Sequence, residues 1–189
     1  MTSFAVLISG RGTNLTALLE AVSEGRLRAR VAFVGSDNSE AAGLETARKS
    51  GIPTHLLDYG SGKEKAEQSL ARLCRDGEVQ WIVLAGFMRI LSPSFVASFR
   101  GRIVNIHPSL LPSFPGPDGI GDAWRYGVKV TGVTVHLVDE GVDTGPILAQ
   151  RAVEIHPGDT PELLRERIQR TERQLYWKTL SELFSSTPH

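Results

Sequence analysis

The sequence predicts an α/β fold with a mostly parallel twisted sheet, flanking helices, an antiparallel hairpin and a long C-terminal helix. Three observations predict it. Short apolar runs alternate with segments of helical spacing through the first half of the chain, as in parallel strands joined by crossover helices. The apolar run at 80–87 is continuous, which is typical of a strand covered on both faces. After residue 110, two strand-like segments precede one long helical segment.

The first half supplies five predicted strands and the helices that connect them. The strands are expected at residues 4–8, 30–36, 54–59, 80–87 and 101–107. The helices are expected at residues 13–24, 40–50, 63–76 and 92–99. Gly51 and Pro53 close the second helix, and Pro108 stops the fifth strand.

The second half begins with the Pro- and Gly-rich segment 110–123, which predicts a loop, followed by a short helix around 122–127. Residues 130–138 and 146–155 then predict the antiparallel hairpin. The final helix is expected over 158–184, with Thr160 as its N-cap and Pro161 in its first turn. The whole arrangement is Rossmann-like, and 189 residues suit a single domain.

Composition narrows the classes of function. Lys plus Arg and Asp plus Glu number 21 each, so no broad positive field favours nucleic acid. The lone cysteine, Cys74, cannot form an internal disulfide and fits a reducing compartment. No segment has the length of a membrane span, and the N-terminal apolar run is too short for a signal peptide. We expect a cytoplasmic protein without a nucleic-acid or membrane partner.

The segment ISGRGTNL (8–15) follows the first strand and opens the first helix. Gly10 and Gly12 match the start of the dinucleotide fingerprint, but its third glycine is missing, and there is no Lys-Ser/Thr pair of a P-loop. Thr13 and Asn14 stand beside the free N–H groups of a helix start, which suits one phosphate group. An ordinary glycine-rich turn explains the segment equally well.

Asn105 and His107 lie two residues apart on the fifth strand, so their side chains face the same side of the sheet. They stand at the carboxyl end of that strand, where open α/β sheets bind ligands. The loop DEGVDTG contains Asp139, Glu140 and Asp143, each of which is consistent with a solvated turn residue. A carboxylate beside His107 would orient the ring and stabilise its charged form for acid–base catalysis.

Two other chemistries receive little support. His107, His136 and Asp143 could form a two-His-one-carboxylate metal site, but their spacing is not a recognised ligand pattern and His136 is expected on the outer face of its strand. No Ser or Cys stands in the setting of a nucleophile. We therefore expect no metal and no covalent intermediate.

Four segments together resemble the glycinamide ribonucleotide formyltransferases: ISGRGTNL (8–15), AGFMRIL (85–91), NIHPSLLP (105–112) and DEGVDTGPI (139–147). They occur in that family's order and span nearly the whole chain. The resemblance implies transfer of a formyl group from the cosubstrate 10-formyltetrahydrofolate to the amine of glycinamide ribonucleotide, in de novo purine synthesis and without a metal. Its implied partners are these small molecules, and the protein would be a monomer or a homodimer.

The resemblance also implies the site residues. Asn105, His107 and Asp143 would be catalytic. The ribonucleotide would contact Gly12, Thr13, Asn14, Gln169 and Glu172. The folate would contact Lys63, Met88, Arg89, Ile90, Leu91, Asn105, Asp139, Glu140, Gly141, Val142 and Asp143. Residues 1–100 would form a nucleotide-phosphate-binding half, and residues 101–189 a catalytic and folate-binding half.

Some features leave alternatives open. Lys63 stands where the family usually has Arg near the folate tail, and Asp118 stands where some members have a His-containing segment, so we interpret Asp118 as a turn residue. Glu172 by itself resembles one more charge on a helix surface. Formyltetrahydrofolate deformylase and the sugar or tRNA formyltransferases carry related motifs. A catalytically silent module that senses a nucleotide, such as NAD through Asp37, is the alternative of a different class.

Overall fold

The computed structural model describes residues 1–186, so the last three residues of the predicted domain lie outside the described range. All strands form one sheet in the order β3-β2-β1-β4-β5-β6-β7. The strands are β1 (Thr2–Ile8), β2 (Ala29–Ser36), β3 (Thr54–Leu56), β4 (Trp81–Leu84), β5 (Ile103–His107), β6 (Val130–Leu137) and β7 (Ile147–Glu154). The helices are α1 (Thr13–Ser23), α2 (Ala42–Lys49), α3 (Lys63–Asp76), α4 (Pro93–Ser98), α5 (Gly119–Tyr126) and α6 (Pro161–Ser186).

The pairing of the strands confirms the predicted fold class. β1 pairs in parallel with β2 and β4, and β3 and β5 extend the parallel part on either side. β6 and β7 add an antiparallel hairpin beyond β5. The strand order reverses direction at β1 and β4, which is where sheets of this kind open a crevice for ligands.

Both faces of the sheet are covered by helices. On one face Phe4, Val6 and Ile8 of β1 join a core with residues of α1 and α6, and on the other Ala5 and Leu7 join a core with residues of α3 and α4. These five β1 side chains are fully buried, which explains why the strand is apolar at consecutive positions.

Tyr176 of α6 connects the C-terminal helix to the two central strands that carry the site. Its hydroxyl lies 2.8 Å from the Leu84 carbonyl oxygen and 3.1 Å from the Val104 carbonyl oxygen. Burial raises the pKa of this phenol well above its ordinary value, so the hydroxyl remains a hydrogen donor. The buried Tyr176 hydroxyl therefore links α6 to the backbone of both β4 and β5.

The chain between 110 and 123 differs from the prediction. Residues 119–123 are helical, because α5 begins at Gly119 and not after the predicted loop. Asp118 is the N-cap of α5 and not a plain turn residue: its carboxylate accepts the Gly121 N–H at 3.1 Å and pairs with Arg125 at 3.0 Å. The glycines of this helix conceal its periodicity in the sequence.

Two predicted strands, β3 and β4, are only half as long in the structure. β3 ends at Leu56 because Tyr59–Ser61 form a 3₁₀ turn, in which the Asp58 carboxylate accepts the Ser61 N–H at 3.2 Å. β4 ends at Leu84, and the chain turns at Gly86, whose φ is 81°. Most of AGFMRIL is therefore a loop at the carboxyl edge of the sheet.

Candidate active site

A cavity of about 600 Å³ opens at the carboxyl ends of β1, β4 and β5. Most of the predicted site residues line it. They are Gly12, Thr13, Asn14, Met88, Arg89, Ile90, Leu91, Asn105, His107, Asp139, Gly141, Val142, Asp143, Gln169 and Glu172. Two predicted residues do not: Lys63 is exposed at the start of α3, and Glu140 forms an ion pair with Arg100 at 3.3 Å.

The glycine-rich turn before α1 forms one end of the cavity. Gly12 has a φ of 74°, and a Cβ at this position would lie 2.8 Å from the Gly43 Cα. No side chain of residues 1–186 caps α1, so its first N–H groups find no intrahelical or side-chain acceptor in this range. Asn14 is buried, and its Oδ1 has no hydrogen-bond partner among residues 1–186. This end of the cavity offers backbone donors and one unused acceptor to a ligand.

Glu172 faces the cavity from α6 and is not a surface charge, because only 8% of it is exposed. Burial raises the pKa of its carboxyl to about 7, against the opposing effects of a hydrogen bond with Asn14 and of the nearby Arg173 and Arg165 charges. A buried carboxyl group that ionises near neutral pH is typical of a functional site.

Arg165 also lines the cavity, and sequence reasoning missed it. Arg165, Gln169 and Glu172 follow one another at helical spacings of four and three, so they share a face of α6. That spacing was the signal that could have identified Arg165 once the other two residues were selected.

Asn105, His107 and Asp143 meet in the middle of the cavity wall. His107 is 4% exposed; its Nδ1 lies 3.4 Å from Asp143 Oδ2, and its Nε2 lies 2.7 Å from the Phe114 carbonyl oxygen. The Gly116 N–H donates to the same Asp143 oxygen at 2.8 Å. The Phe114 carbonyl oxygen can only accept, so His107 Nε2 carries a hydrogen, while Nδ1 faces the Asp143 carboxylate. Asp143 occupies the left-handed region at φ 55°.

His136 was predicted on the outer face of its strand, and that prediction is wrong. It lines the cavity with 2% of its surface exposed, and its Nε2 lies 3.3 Å from Asn105 Nδ2 and 3.7 Å from Asp143 Oδ1. Within residues 1–186, no group of three His, Cys, Asp or Glu side chains is arranged to hold a metal ion.

The loop after β4 forms the apolar wall of the cavity. Met88 and Ile90 are 69% and 66% exposed, and Val142 faces them from the loop after β6 with 48% exposed. Leu91 is buried beneath this wall. Large apolar side chains left open inside a concave site provide a surface for a flat apolar ligand group.

A polar network holds this loop against the first two strands. Asp37 accepts the Ser9 hydroxyl at 2.5 Å and the Arg89 Nε–H at 2.6 Å, and the Met88 N–H donates to Ser9 Oγ at 2.8 Å. The Arg89 guanidinium also lies 5.1 Å from the centre of the Tyr59 ring. Both Asp37 oxygens are engaged inside the protein, and Asp37 does not line the cavity, which does not support a ribose-binding role.

The amino-acid sequence matches a known protein family over most of its length. The formyl transferase family profile matches residues 2–180. The chain belongs to the formyl transferase family.

Named relatives of this formyl transferase share most of its length. A phosphoribosylglycinamide formyltransferase of Bacillus subtilis (strain 168) is 43% identical over 97% of this chain and 95% of its own. One of Mycobacterium tuberculosis (strain CDC 1551 / Oshkosh) is 48% identical over 90% of this chain and 79% of its own. The crystal structure of phosphoribosylglycinamide formyltransferase from Bacillus halodurans superposes with a TM-score of 0.95 at 43% identity, covering 98% of this chain and 96% of that one.

The helices of this formyl transferase were compared with the length and hydropathy of membrane spans. Among the helices of residues 1–186, none is both long enough and apolar enough to cross a membrane.

Proposed function

We propose that this formyl transferase moves the formyl group of 10-formyltetrahydrofolate to the amine of glycinamide ribonucleotide, giving formylglycinamide ribonucleotide and tetrahydrofolate in de novo purine synthesis. One observation carries the proposal: a single cavity joins the uncapped start of α1, the Asn105–His107–Asp143 cluster and the apolar wall at 88–91. A phosphorylated acceptor and a flat folate ring bound at its two ends would meet at the cluster. The names of the relatives agree with a formyl group and with phosphoribosylglycinamide as its acceptor.

The reaction begins when the amine nitrogen of the ribonucleotide attacks the formyl carbon. A C–N bond forms and the carbonyl electron pair moves to oxygen, which becomes an oxyanion. Asn105 and His107 donate hydrogen bonds to this oxygen, and such preorganised donors are the largest single contribution in many acyl transfers. The oxyanion then re-forms the C=O double bond as the bond from carbon to the folate N10 breaks, and N10 takes up a proton that the attacking amine has lost.

His107 must change one hydrogen-bond partner to take part. Its Nε2–H donates to the Phe114 carbonyl oxygen, while Nδ1 faces Asp143. When the formyl oxygen enters, Nε2–H is released from Phe114 and turns to that oxygen, and Asp143 keeps the ring in place from the other side. His107 then relays the proton to N10 as a general acid.

The remaining site residues hold the two substrates. Gly12, Thr13 and Asn14 receive the phosphate, while Gln169 and Glu172 contact the ribose or glycinamide part. The pteridine lies against the wall at 88–91 and the backbone of 139–143, which is how Glu140 takes part despite its outward side chain. Lys63 is exposed outside the cavity, where it would meet the anionic tail of the folate.

The wider properties of the enzyme follow the same proposal. It acts on small molecules, without nucleic acid, membrane or metal, as a monomer or homodimer in the cytoplasm. The two halves divide near residue 100, although each contributes to both ends of the cavity: Met88 belongs to the first half and Glu172 to the second.

The direct test is a spectrophotometric assay of tetrahydrofolate formation. Purified protein is mixed with 10-formyltetrahydrofolate in the presence and absence of glycinamide ribonucleotide. Turnover that requires the ribonucleotide supports the proposal. Turnover in its absence indicates a deformylase, and no turnover in either mixture indicates another acceptor or a binding module.

Gly12→Ala is expected to weaken ribonucleotide binding by at least about 10-fold and to destabilise the fold by ~1–3 kcal/mol. The reason is both the left-handed φ and the 2.8 Å approach to the Gly43 backbone, which must move and disturb the phosphate site. Calorimetric titration and urea unfolding measure the two effects. Gly25→Ala is the matched control, because Gly25 has a φ of 73° but open space around it. Equal affinity losses in the two variants would contradict the proposed phosphate site.

Glu172→Gln is expected to stabilise the protein above neutral pH while weakening ribonucleotide binding. The pKa of Glu172 is about 7 in the folded chain, and its ordinary value, expected in the unfolded chain, is 4.5. Between pH 4.5 and pH 7 the unfolded chain therefore binds fewer protons than the folded chain. The wild-type stability therefore falls as pH rises through this window, and Gln removes the loss. The stability difference should grow from near zero at pH 4.5 to about 3 kcal/mol at pH 8, at ~1.4 kcal/mol per pKa unit.

Urea unfolding at several pH values checks this prediction. Glu166→Gln, an exposed position on the same helix, should leave the stability unchanged at every pH. A Glu172→Gln variant that is less stable than wild type at pH 8 would contradict the prediction, because it would show that contacts within the fold stabilise the ionised carboxylate.

A further inference from the structure

His136 is a buried polar side chain to which the proposed reaction assigns no role. It lies on β6 directly opposite Asn105 of β5 in the antiparallel register. Directly opposed residues of an antiparallel pair project to the same face, with their Cβ atoms about 5 Å apart. The register of β6 with β7 also shifts between Val135 and His136, and such irregularities re-aim side chains beside active sites. The strands therefore fix His136 as the neighbour of a proposed oxyanion donor.

The hydrogen bond at Nδ1 fixes the tautomer of the His136 ring. Nδ1 lies 2.9 Å from the Leu137 carbonyl oxygen, which can only accept, so Nδ1 carries a hydrogen. A neutral imidazole has only one, so Nε2 is an acceptor. Burial lowers the pKa of His136, and the nearby His107 lowers it further, against the Leu137 hydrogen bond and the charges of Asp143 and Asp139. The ring is thus neutral where Asn105 meets it.

An acceptor at Nε2 determines which end of the Asn105 carboxamide faces the ring. Nε2 lies 3.3 Å from Asn105 Nδ2, so the amide donates one of its two Nδ2 hydrogens to the histidine. The second hydrogen of the same nitrogen remains for a ligand oxygen. A carboxamide turned the other way would present its own oxygen in that place, and that oxygen would repel a developing oxyanion.

Asp143 is the competing partner of this ring. Its Oδ1 lies 3.7 Å from His136 Nε2, beyond hydrogen-bond distance for a neutral ring. A ring that carried hydrogen on Nε2 would approach this carboxylate and would meet the oxygen, not the nitrogen, of Asn105. A His136 ring without hydrogen on Nε2 therefore faces the Asn105 nitrogen, and a ring with hydrogen on Nε2 faces the Asn105 oxygen.

We propose that His136 is a positioning residue for formyl transfer: the Leu137 carbonyl fixes its tautomer, and its Nε2 holds Asn105 with an N–H directed at the transferring group. The inference rests on the proposed function, since the oxyanion is that of the formyl group. In this arrangement the β6 backbone fixes the His136 ring, and the His136 ring fixes the orientation of the Asn105 carboxamide. His136 acts on the ligand only through Asn105.

The test compares His136→Leu, which removes the acceptor at similar volume, with His136→Gln, whose side-chain oxygen can replace Nε2. We expect His136→Leu to lower kcat by about 10- to 100-fold, the size of effect that misplacement of a reacting group produces. KM for both substrates should change by less than about 3-fold. His136→Gln should recover most of the lost kcat. Equal kcat values for the two variants, or a His136→Leu variant with wild-type kcat, would overturn the proposal.

A double-mutant cycle separates positioning of Asn105 from a general structural role. In an Asn105→Ala background, His136→Leu should cause no further loss of kcat, because the group that it positions is gone. A full additional loss would show that His136 acts independently of Asn105, and would overturn the inference.

The tautomer itself is measured in the wild-type protein by ¹⁵N NMR of the histidine rings, assigned with His136→Gln. Hydrogen on Nδ1 and not on Nε2 is the expected result, and hydrogen on Nε2 overturns the proposal even if His136→Leu does not fold. This readout needs no turnover. A protein that shows the expected tautomer but transfers no formyl group would therefore contradict the proposed function and not the geometry.

Discussion

Replacement of His107 by Ala is expected to lower kcat by about 100- to 1000-fold, the cost of one oxyanion donor in an acyl transfer. His107 is nearly fully buried and pairs with Asp143 through Nδ1, so the variant loses both the donor and the proton relay. Ribonucleotide affinity should stay within about 3-fold of wild type, since the residues proposed to bind it belong to α1 and α6. Steady-state kinetics and calorimetric titration measure the two quantities.

Two controls distinguish chemistry from structure in this experiment. His156→Ala removes a half-exposed histidine outside the cavity and should leave kcat unchanged. Added imidazole should restore part of the activity of His107→Ala, because it can fill the space that the ring vacates. Parallel losses of affinity and turnover, with no response to imidazole, would show that His107 is a structural residue.

Asp143→Asn is expected to reduce kcat by roughly 100- to 10,000-fold, the range spanned by loss of one oxyanion donor and loss of a histidine's orienting carboxylate. One Asp143 oxygen faces His107 and accepts the Gly116 N–H at 2.8 Å, and the other faces His136. Asn is nearly the same size and tolerates the left-handed backbone at this position. The substitution therefore removes the charge with little change in shape.

Urea unfolding tests whether Asp143→Asn changes the stability of the fold as well as the activity. The variant's unfolding should match that of the wild type within ~1 kcal/mol, because the Gly116 N–H still finds an amide oxygen. Asp122→Asn, on α5 with 42% of its side chain exposed, is the control for removing one carboxylate outside the cavity. A kcat within about 3-fold of wild type for Asp143→Asn would refute the proposed role of the charge.

The parts of the site that the sequence predicted depend on local rules. Asn105 and His107 share one face of β5 because alternate residues of a strand project to the same side, while Val104 and Ile106 belong to the core with α1 and α6. The start of α1 was predicted because a glycine-rich turn follows an apolar strand and opens a segment of helical spacing, although the sequence left its role as a phosphate site open. Such features need no knowledge of distant contacts.

The parts that the sequence did not predict depend on contacts between distant segments. His136 faces the cavity because of its register with β5, and Glu172 is buried because α6 packs on the sheet. The first turn of α5 was assigned to the loop because its glycines conceal the start of the helix that Asp118 caps. Glu140 lies between two cavity-lining residues in the chain but forms an ion pair with Arg100, and Lys63 is exposed at the start of α3 outside the cavity.

The contact of Tyr176 with the Leu84 and Val104 carbonyl groups has a consequence for biosynthesis. α6 follows every strand of the sheet along the chain, so a ribosome makes all the strands before the residue that satisfies these carbonyl groups exists. Until α6 docks, the Leu84 and Val104 carbonyl groups lack the Tyr176 donor, and the cavity lacks Glu172 and Gln169. The nascent protein can therefore assemble its sheet early, but it acquires a complete substrate site only after the helix has emerged.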